Sequence, residues 1–278
     1  MSPDEFHQLA RFLKRRAGIM LGDGKRALAA SKLNPVVARF GFKTIGDLIH
    51  ELGSPGDALA RDVIDALTTN ETFFFRDKAV FDYFRCQIFP PLLHARLAQR
   101  RVRIWCAAAS TGQEPYSVAM IVDEFRPLLK GWTIEIVATD IAANAIARAR
   151  NGMYGAGEVE RGLPREMLIK HFRRDGEGWR LDPSLRRRVT FARRNLIEPF
   201  HDLGIFDVIF CRNLLIFFDT ATKQNVLGRL QASLADDGHL ILGSAETLMG
   251  FGAALEPASI ARGIYAKARY VQRRLAAG

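Results

Sequence analysis

Two carboxylates, Glu114 and Asp140, are the residues best placed to do chemistry, each standing near the end of an apolar run. Glu114 lies in Trp105-Cys-Ala-Ala-Ala-Ser-Thr-Gly-Gln-Glu-Pro-Tyr-Ser117, which follows the strand-like residues Val102, Ile104 and Trp105. Small residues in such a turn let backbone N–H groups approach a ligand, and Pro115 suits the first turn of a following helix. A phosphate-binding loop calls for a lysine here, and the Walker pattern is absent. A carboxylate suits a positively charged ligand group instead. Asp140 closes Trp132-Thr-Ile-Glu-Ile-Val-Ala-Thr-Asp140, the position at which doubly wound folds grip ribose hydroxyls. No G-x-G-x-x-G accompanies it, so the pair points to a nucleoside carrying a cation rather than to a dinucleotide. Each acid also has a plainer reading. The turn is an ordinary strand–helix connection, and Asp140 caps a helix starting near Asn144.

The elements that position these groups follow from hydrophobic periodicity. Ser2-Pro-Asp-Glu5 is a capping-box start, and Phe6, Leu9, Leu13 and Ala17 share one helical face. Gly22-Asp-Gly24 breaks the chain before a second helix, with Lys25, Ala29 and Lys32 on one face and Leu28 and Leu33 nearer the other. Asn34-Pro35 and Ser54-Pro55 look like further cap-plus-proline starts. Residues 1–70 thus form a small helical domain. From about residue 78 helices and strands alternate, beginning with Val80, Phe81, Phe84 and Ile88 on one helix and passing Pro90-Pro91. Strands are predicted at 101–107, 132–139, 189–194, 206–211, 238–243 and 264–268, with helices at 144–150 and 220–235. That alternation predicts an α/β fold with a mostly parallel sheet covered on both faces. An insertion at 152–188 contains His171-Phe-Arg-Arg-Asp-Gly-Glu-Gly-Trp-Arg-Leu181, a hairpin turning at Asp175–Gly178.

Two further strings are unusual: Thr68-Thr-Asn-Glu-Thr-Phe-Phe-Phe-Arg-Asp77 and Phe206-Asp-Val-Ile-Phe-Cys-Arg-Asn-Leu-Leu-Ile-Phe-Phe-Asp219. Together with the Ser-Thr-Gly-Gln-Glu-Pro-Tyr-Ser loop and Ala138-Thr-Asp-Ile141, they resemble the CheR-type family of chemotaxis receptor methyltransferases, from about Phe6 to Lys267. The resemblance implies a doubly wound, Rossmann-like class I methyltransferase sheet over residues 71–278, behind the N-terminal helical domain. It implies transfer of a methyl group from S-adenosylmethionine to receptor glutamate carboxylates, leaving S-adenosylhomocysteine. It further implies that Asn70, Thr72 and Arg76 line the cofactor pocket, Glu114 accepts from the methionyl ammonium and Asp140 from the ribose. Asn195 with Leu196 meet the adenine, and Asn213 with Leu214 flank the methionyl group. Arg76 is also the candidate for orienting the substrate carboxylate, since a guanidinium grips a carboxylate by its fork; otherwise it pairs with Asp77 or Glu71. Asn70 and Thr72 can equally cap a helix beginning near Asp77.

Two departures from the family stand out. Many relatives carry Tyr where this chain has Phe217, and Ala107-Ala-Ala109 stands where a glycine is common. The family's insertion docks a receptor tail peptide in some members; the compact insertion here implies weak docking or none. Its N-terminal helices imply a contact between Lys25, Arg26, Lys32 and Arg39 and the helical bundle of a receptor.

Composition bounds the alternatives. The 278 residues carry a net charge of +10, with nine Lys/Arg against the single acid Asp23 across residues 11–43. Such a surface attracts acidic partners without choosing among nucleic acid, lipid and protein. Methylases of nucleic-acid amino groups usually show an Asp/Asn-Pro-Pro-aromatic run where this chain has Cys211-Arg-Asn-Leu, and basic residues are not interleaved with aromatics as on a base-stacking platform. No nucleic acid is therefore expected as a partner. A cofactor-binding signalling protein with little transfer activity is the second reading, prompted by Phe217. Cys86, Cys106 and Cys211 are far apart, and no His-Glu-x-x-His occurs, so neither disulfide nor metal is expected. Without a membrane-length apolar run or a signal-peptide centre, the expectation is a cytoplasmic monomer.

Overall fold

The computed structural model describes residues 1–52, 57–248, 255–258 and 262–268. Ser54-Pro55 lies outside the described residues. Four helices come first: α1 (Pro3–Ala17), α2 (Arg26–Phe40), α3 (Ile45–Glu51) and α4 (Asp57–Leu67). The capping box forms as expected, with the Ser2 hydroxyl accepting from Glu5 N and the Glu5 carboxylate accepting from Ser2 N. Phe6, Leu9, Leu13 and Ala17 are buried with Ala29, Leu33, Leu48 and Val63 in a core of their own.

Two expectations fail in α2. Asn34-Pro35 does not start a helix; Pro35 sits inside α2, on its exposed side. The buried stripe Ala29, Leu33 and Val36 runs past it unbroken, so packing outweighs the hydrogen bond that proline removes. Leu28 does not share the side of Leu33. Ala29 and Leu33 are one helical turn apart and buried together, whereas Leu28 is 55% exposed.

Beyond the helical domain, α5 (Lys78–Tyr83) runs through a widened turn at Phe84–Ile88 into α6 (Phe89–Ala95). Helix α5 starts after Asp77, which has left-handed backbone and makes no side-chain cap, so neither Asn70 nor Thr72 caps it. Then follow β1 (Arg101–Ala107), α7 (Gln113–Glu124), β2 (Thr133–Asp140) and α8 (Ala143–Asn151). The insertion holds β3 (Met153–Gly155), α9 (Ala156–Glu160), α10 (Arg165–His171), β4 (Phe172–Asp175), β5 (Gly178–Leu181) and α11 (Pro183–Arg186). The expected hairpin is β4–β5, and β3, which the sequence reading missed, pairs antiparallel with β5. The main fold resumes with β6 (Val189–Arg193), β7 (Phe206–Cys211), α12 (Thr220–Ala232), β8 (Leu234–Leu242), β9 (Leu255–Pro257) and β10 (Ile264–Lys267).

The main sheet has the order β6-β2-β1-β7-β8-β10-β9, parallel from β6 to β8 and antiparallel at β10 and β9. Alternation along β1 serves both faces: Ile104 and Cys106 enter one apolar cluster, Trp105 and Ala107 the other. Ala107 is in register with Thr139 on one side and with Cys211 on the other. That register brings the ends of β1, β2 and β7 level, beside the point where strand order reverses. Open α/β sheets bind ligands in that crevice.

Candidate functional site

A cleft of about 1320 Å³, its open mouth included, lies over these strand ends and is roofed by the helical domain. Its walls bring together every cofactor-site residue singled out from the sequence. Asn70, Thr72 and Arg76 come from the segment before α5, while Glu114 and Asp140 come from the loops after β1 and β2. Asn195 and Leu196 follow β6, and Asn213 and Leu214 follow β7. Lys25, Leu28 and Lys32 of the helical domain close the opposite side.

The loop after β1 is held in an unusual shape. Ala108 and Ser110 both have positive φ, at 61° and 51°, with Gly112 at 96°. A side chain at Gly112 would strike Ala149 and Tyr116, so glycine is required there for space as well as φ. Asp140 fixes the loop from the neighbouring strand. One carboxylate oxygen accepts from Ser110 N at 2.7 Å and the other from Ala142 N at 2.9 Å. Burial pushes the Asp140 carboxyl up, and those backbone donors pull it back. The Ser110 hydroxyl donates to the Asn70 carbonyl at 3.1 Å, tying the upstream segment to the same loop. Ser117 adds a second tie by accepting from Phe75 N at 3.0 Å.

Asp140 does not cap α8 as the plainer reading had it. The free N–H groups of Ala143 and Asn144 donate to the Asp65 carboxylate, at 3.1 and 3.0 Å, so the cap comes from α4 of the helical domain. Further bonds cross the same junction: Met20 N to Phe217 O at 2.8 Å, and Asn195 Nδ2 to Arg16 O at 2.8 Å.

Glu114 meets an arginine that the sequence reading did not place. Arg212, whose side chain is 2% exposed, donates to Glu114 Oε2 at 3.0 Å, to Asp77 Oδ2 at 2.7 Å and to the Arg76 carbonyl at 2.7 Å. Its signal was present: an arginine directly after six buried strand residues must find a carboxylate partner. Burial raises the Glu114 carboxyl, and the charge and hydrogen bond of Arg212 hold it down. Among the described residues Glu114 Oε1 has no partner. Glu246 was also missed. Its carboxylate accepts from Asn213 N (2.8 Å), Leu215 N (2.7 Å) and Gly243 N (2.7 Å), which fixes Asn213 at a φ of 57°. Its bond to Gly243 N is local, three residues away, but the loop that it fixes, with Asn213 and Leu215, lies more than thirty positions earlier, so no local pattern signals that role.

Arg76 donates to the Glu71 carbonyl at 2.9 Å and lies 5.6 Å from the Phe73 ring centroid. The expected pairs with Asp77 or Glu71 do not form: Asp77 is taken by Arg212 and the Glu71 carboxylate by Arg161 at 3.1 Å. Lys25 Nζ lies 6.0 Å over the Phe217 ring at the mouth. Among the described residues no cluster of His, Cys, Asp or Glu is arranged to hold a metal, and no helix is long and apolar enough to cross a membrane.

The sequence model of the CheR methyltransferase SAM binding domain matches residues 70–264, and that of the CheR methyltransferase all-alpha domain matches 4–68. The chain belongs to the CheR methyltransferase family. Chemotaxis protein methyltransferase 1 of Pseudomonas aeruginosa is 39% identical over 248 residues, covering 88% of this chain and 90% of its own. Chemotaxis protein methyltransferase Cher2 of Pseudomonas putida is 38% identical, covering 88% and 91%. The chemotaxis protein methyltransferase of Salmonella typhimurium is 34% identical, covering 88% and 84%. This chain is accordingly an S-adenosylmethionine-dependent methyltransferase. The cleft fits that cofactor: Glu114 Oε1 is a carboxylate oxygen without a partner, as a ligand ammonium requires, and Leu196 and Leu214 supply apolar wall.

Proposed function

We propose that this CheR-family chain methylates glutamate side chains on the cytoplasmic helical bundle of chemotaxis receptors. The observation that carries the reading is the charge pattern of the cleft. Its acids are committed or buried: Asp140 to backbone N–H groups, Glu71 to Arg161, and Glu114 at one oxygen to Arg212. Its cations Arg76 and Lys25 pair with no carboxylate among the described residues. A cleft of that kind receives an acidic acceptor.

The chemistry needs little more. A glutamate with an ordinary pKa near 4.3 is already the nucleophile at neutral pH, so no general base is required. When bound, S-adenosylmethionine supplies the methyl group on a positively charged sulfur. The protein aligns the acceptor oxygen with that methyl and keeps water off the carboxylate. Arg76 lines the cofactor pocket, where it meets the carboxylate of the methionyl group, and orients the acceptor. Glu114 Oε1 receives the methionyl ammonium, and Asp140 has lone pairs left for ribose hydroxyls. Asn195 and Leu196 meet the adenine, while Asn213 and Leu214 bound the methionyl chain. Asn70 and Thr72 complete the wall.

Residues 1–70 act as the receptor-binding domain and 71–278 as the transferase domain, with the insertion at about 152–188, in a protein working as a cytoplasmic monomer. Within the basic helix the four cations divide. Lys25 and Lys32 line the cleft, Arg26 is exposed, and Arg39 is held by Asp62 at 2.6 Å. Lys25, Arg26 and Lys32 therefore form the docking charge.

The test is incubation with methyl-labelled S-adenosylmethionine and membranes carrying the organism's receptors, reading alkali-labile label released as methanol. Label that disappears when receptor glutamates become glutamine supports the assignment. Cofactor binding without label on competent receptors transfers it to a binding-only signalling protein, the role that the hydroxyl-free Phe217 would suit.

A further inference from the structure

Arg76 owes its freedom from carboxylates to a residue far along the chain. Arg76 donates to the backbone carbonyl of Glu71, so the side chain of that same glutamate is within its reach. The Glu71 carboxylate is drawn elsewhere, to Arg161 Nη2 at 3.1 Å. The Arg161 guanidinium carbon lies 4.3 Å from the Phe73 ring centroid, and that of Arg76 lies 5.6 Å from the same centroid. Two like charges on one ring repel, and the Glu71 carboxylate neutralises one of them. Arg161 is anchored for this task. It follows α9 in the insertion, and the next residue, Gly162, has φ +85° and packs so closely that a Cβ there would collide with the Phe74 carbonyl oxygen.

We propose that Arg161 is a positioning residue: by sequestering the Glu71 carboxylate it keeps Arg76 available to ligand carboxylates in the cleft. The inference rests on Arg76 serving the site, as argued above. It also gives the insertion a direct link to the cleft.

The pair is half exposed, so the effect is moderate, and its sign pattern is what discriminates. The probe is S-adenosylhomocysteine, which carries a carboxylate, titrated by calorimetry into the full-length chain. Arg161→Ala should raise its Kd about fivefold, as the released Glu71 captures Arg76. Adding Glu71→Gln should bring Kd back to within about twofold of wild type, because the competing anion is gone. In an Arg76→Ala background Arg161→Ala should change nothing. A purely structural ion pair behaves otherwise, since removing both partners restores nothing. An unchanged Kd in Arg161→Ala overturns the proposal. So does a double variant as weak as Arg161→Ala alone, or an equal loss in the Arg76→Ala background. No acceptor enters the titration, so its failure is distinct from failure of the receptor assay.

Discussion

Replacing Arg212 by Met probes the centre of the site most directly. The change keeps most of the aliphatic stem and removes a guanidinium that lies over the Phe81 ring and is bonded to Glu114, Asp77 and the Arg76 carbonyl. Breaking a buried ion pair from one side costs about 3–5 kcal/mol, because a buried charge is left alone. Here there is an escape. Burial already raises the Glu114 carboxyl, and the lost arginine was the chief influence opposing it. In Arg212→Met the acid takes up a proton instead of remaining a naked anion, so the net cost at pH 7 settles at about 2–4 kcal/mol. The sign follows from linkage. A folded-state pKa above the unfolded value means the folded chain binds more protons, so stability falls as pH rises through that window. The deficit relative to wild type should thus be largest at neutral pH and shrink toward pH 5. Urea unfolding at both pH values measures it. Adding Glu114→Gln should recover at least about 1 kcal/mol by removing the stranded acid. A deficit independent of pH, with the two substitutions simply additive, would refute the reasoning. Unchanged S-adenosylhomocysteine affinity in Arg212→Met would refute its bearing on the site.

Four further outcomes are expected. Wild-type affinity for S-adenosylhomocysteine should weaken on acidification with a midpoint above the ordinary carboxylate range, because burial raises Glu114, and calorimetry in Glu114→Gln should show weaker binding without that step. Phe217→Tyr should maintain or raise turnover in the methanol-release assay; a large loss would place the ring in an apolar wall that rejects a hydroxyl. Charge reversal at Lys25, Arg26 and Lys32 together should cut receptor methylation at least about tenfold and flatten its salt dependence, whereas Arg39→Glu alone should do little. Asp65→Ala removes the shared cap of α8 and should cost about 1 kcal/mol in urea unfolding.

The legible parts of this chain are those where one local pattern decides the outcome. The apolar runs at 101–107 and 206–211 become β1 and β7 with the same bounds, and the capping box opens α1 at Pro3. Prolines misled, because Pro35 occupies the outer side of a helix whose inner stripe is continuous. In the site, loop residues could be picked out by type and motif. Their partners could not: Arg212 meets Glu114 across 98 positions, Asp65 reaches Ala143 across 78, and Glu246 reaches back to the N–H groups of 213 and 215. Such contacts exist only after the sheet sets its register. The insertion shows the same limit, since the turn at Asp175–Gly178 announces β4 and β5 while β3 joins from outside that local signal.

The two bonds of Asp140 bear on how such a site can change over evolutionary time. A carboxylate on a short stem offers lone pairs enough for Ser110 N–H, Ala142 N–H and a ligand hydroxyl at once. Asparagine would turn an NH₂ toward one of the two N–H groups, and glutamate would lengthen the stem and displace the loop. One position therefore carries the architecture of the first loop and, on the proposed function, the recognition of a sugar. Either replacement is expected to disturb both at once. A substitution that alters cofactor contact without displacing the first loop is therefore expected at wall residues such as Leu214, and not at position 140.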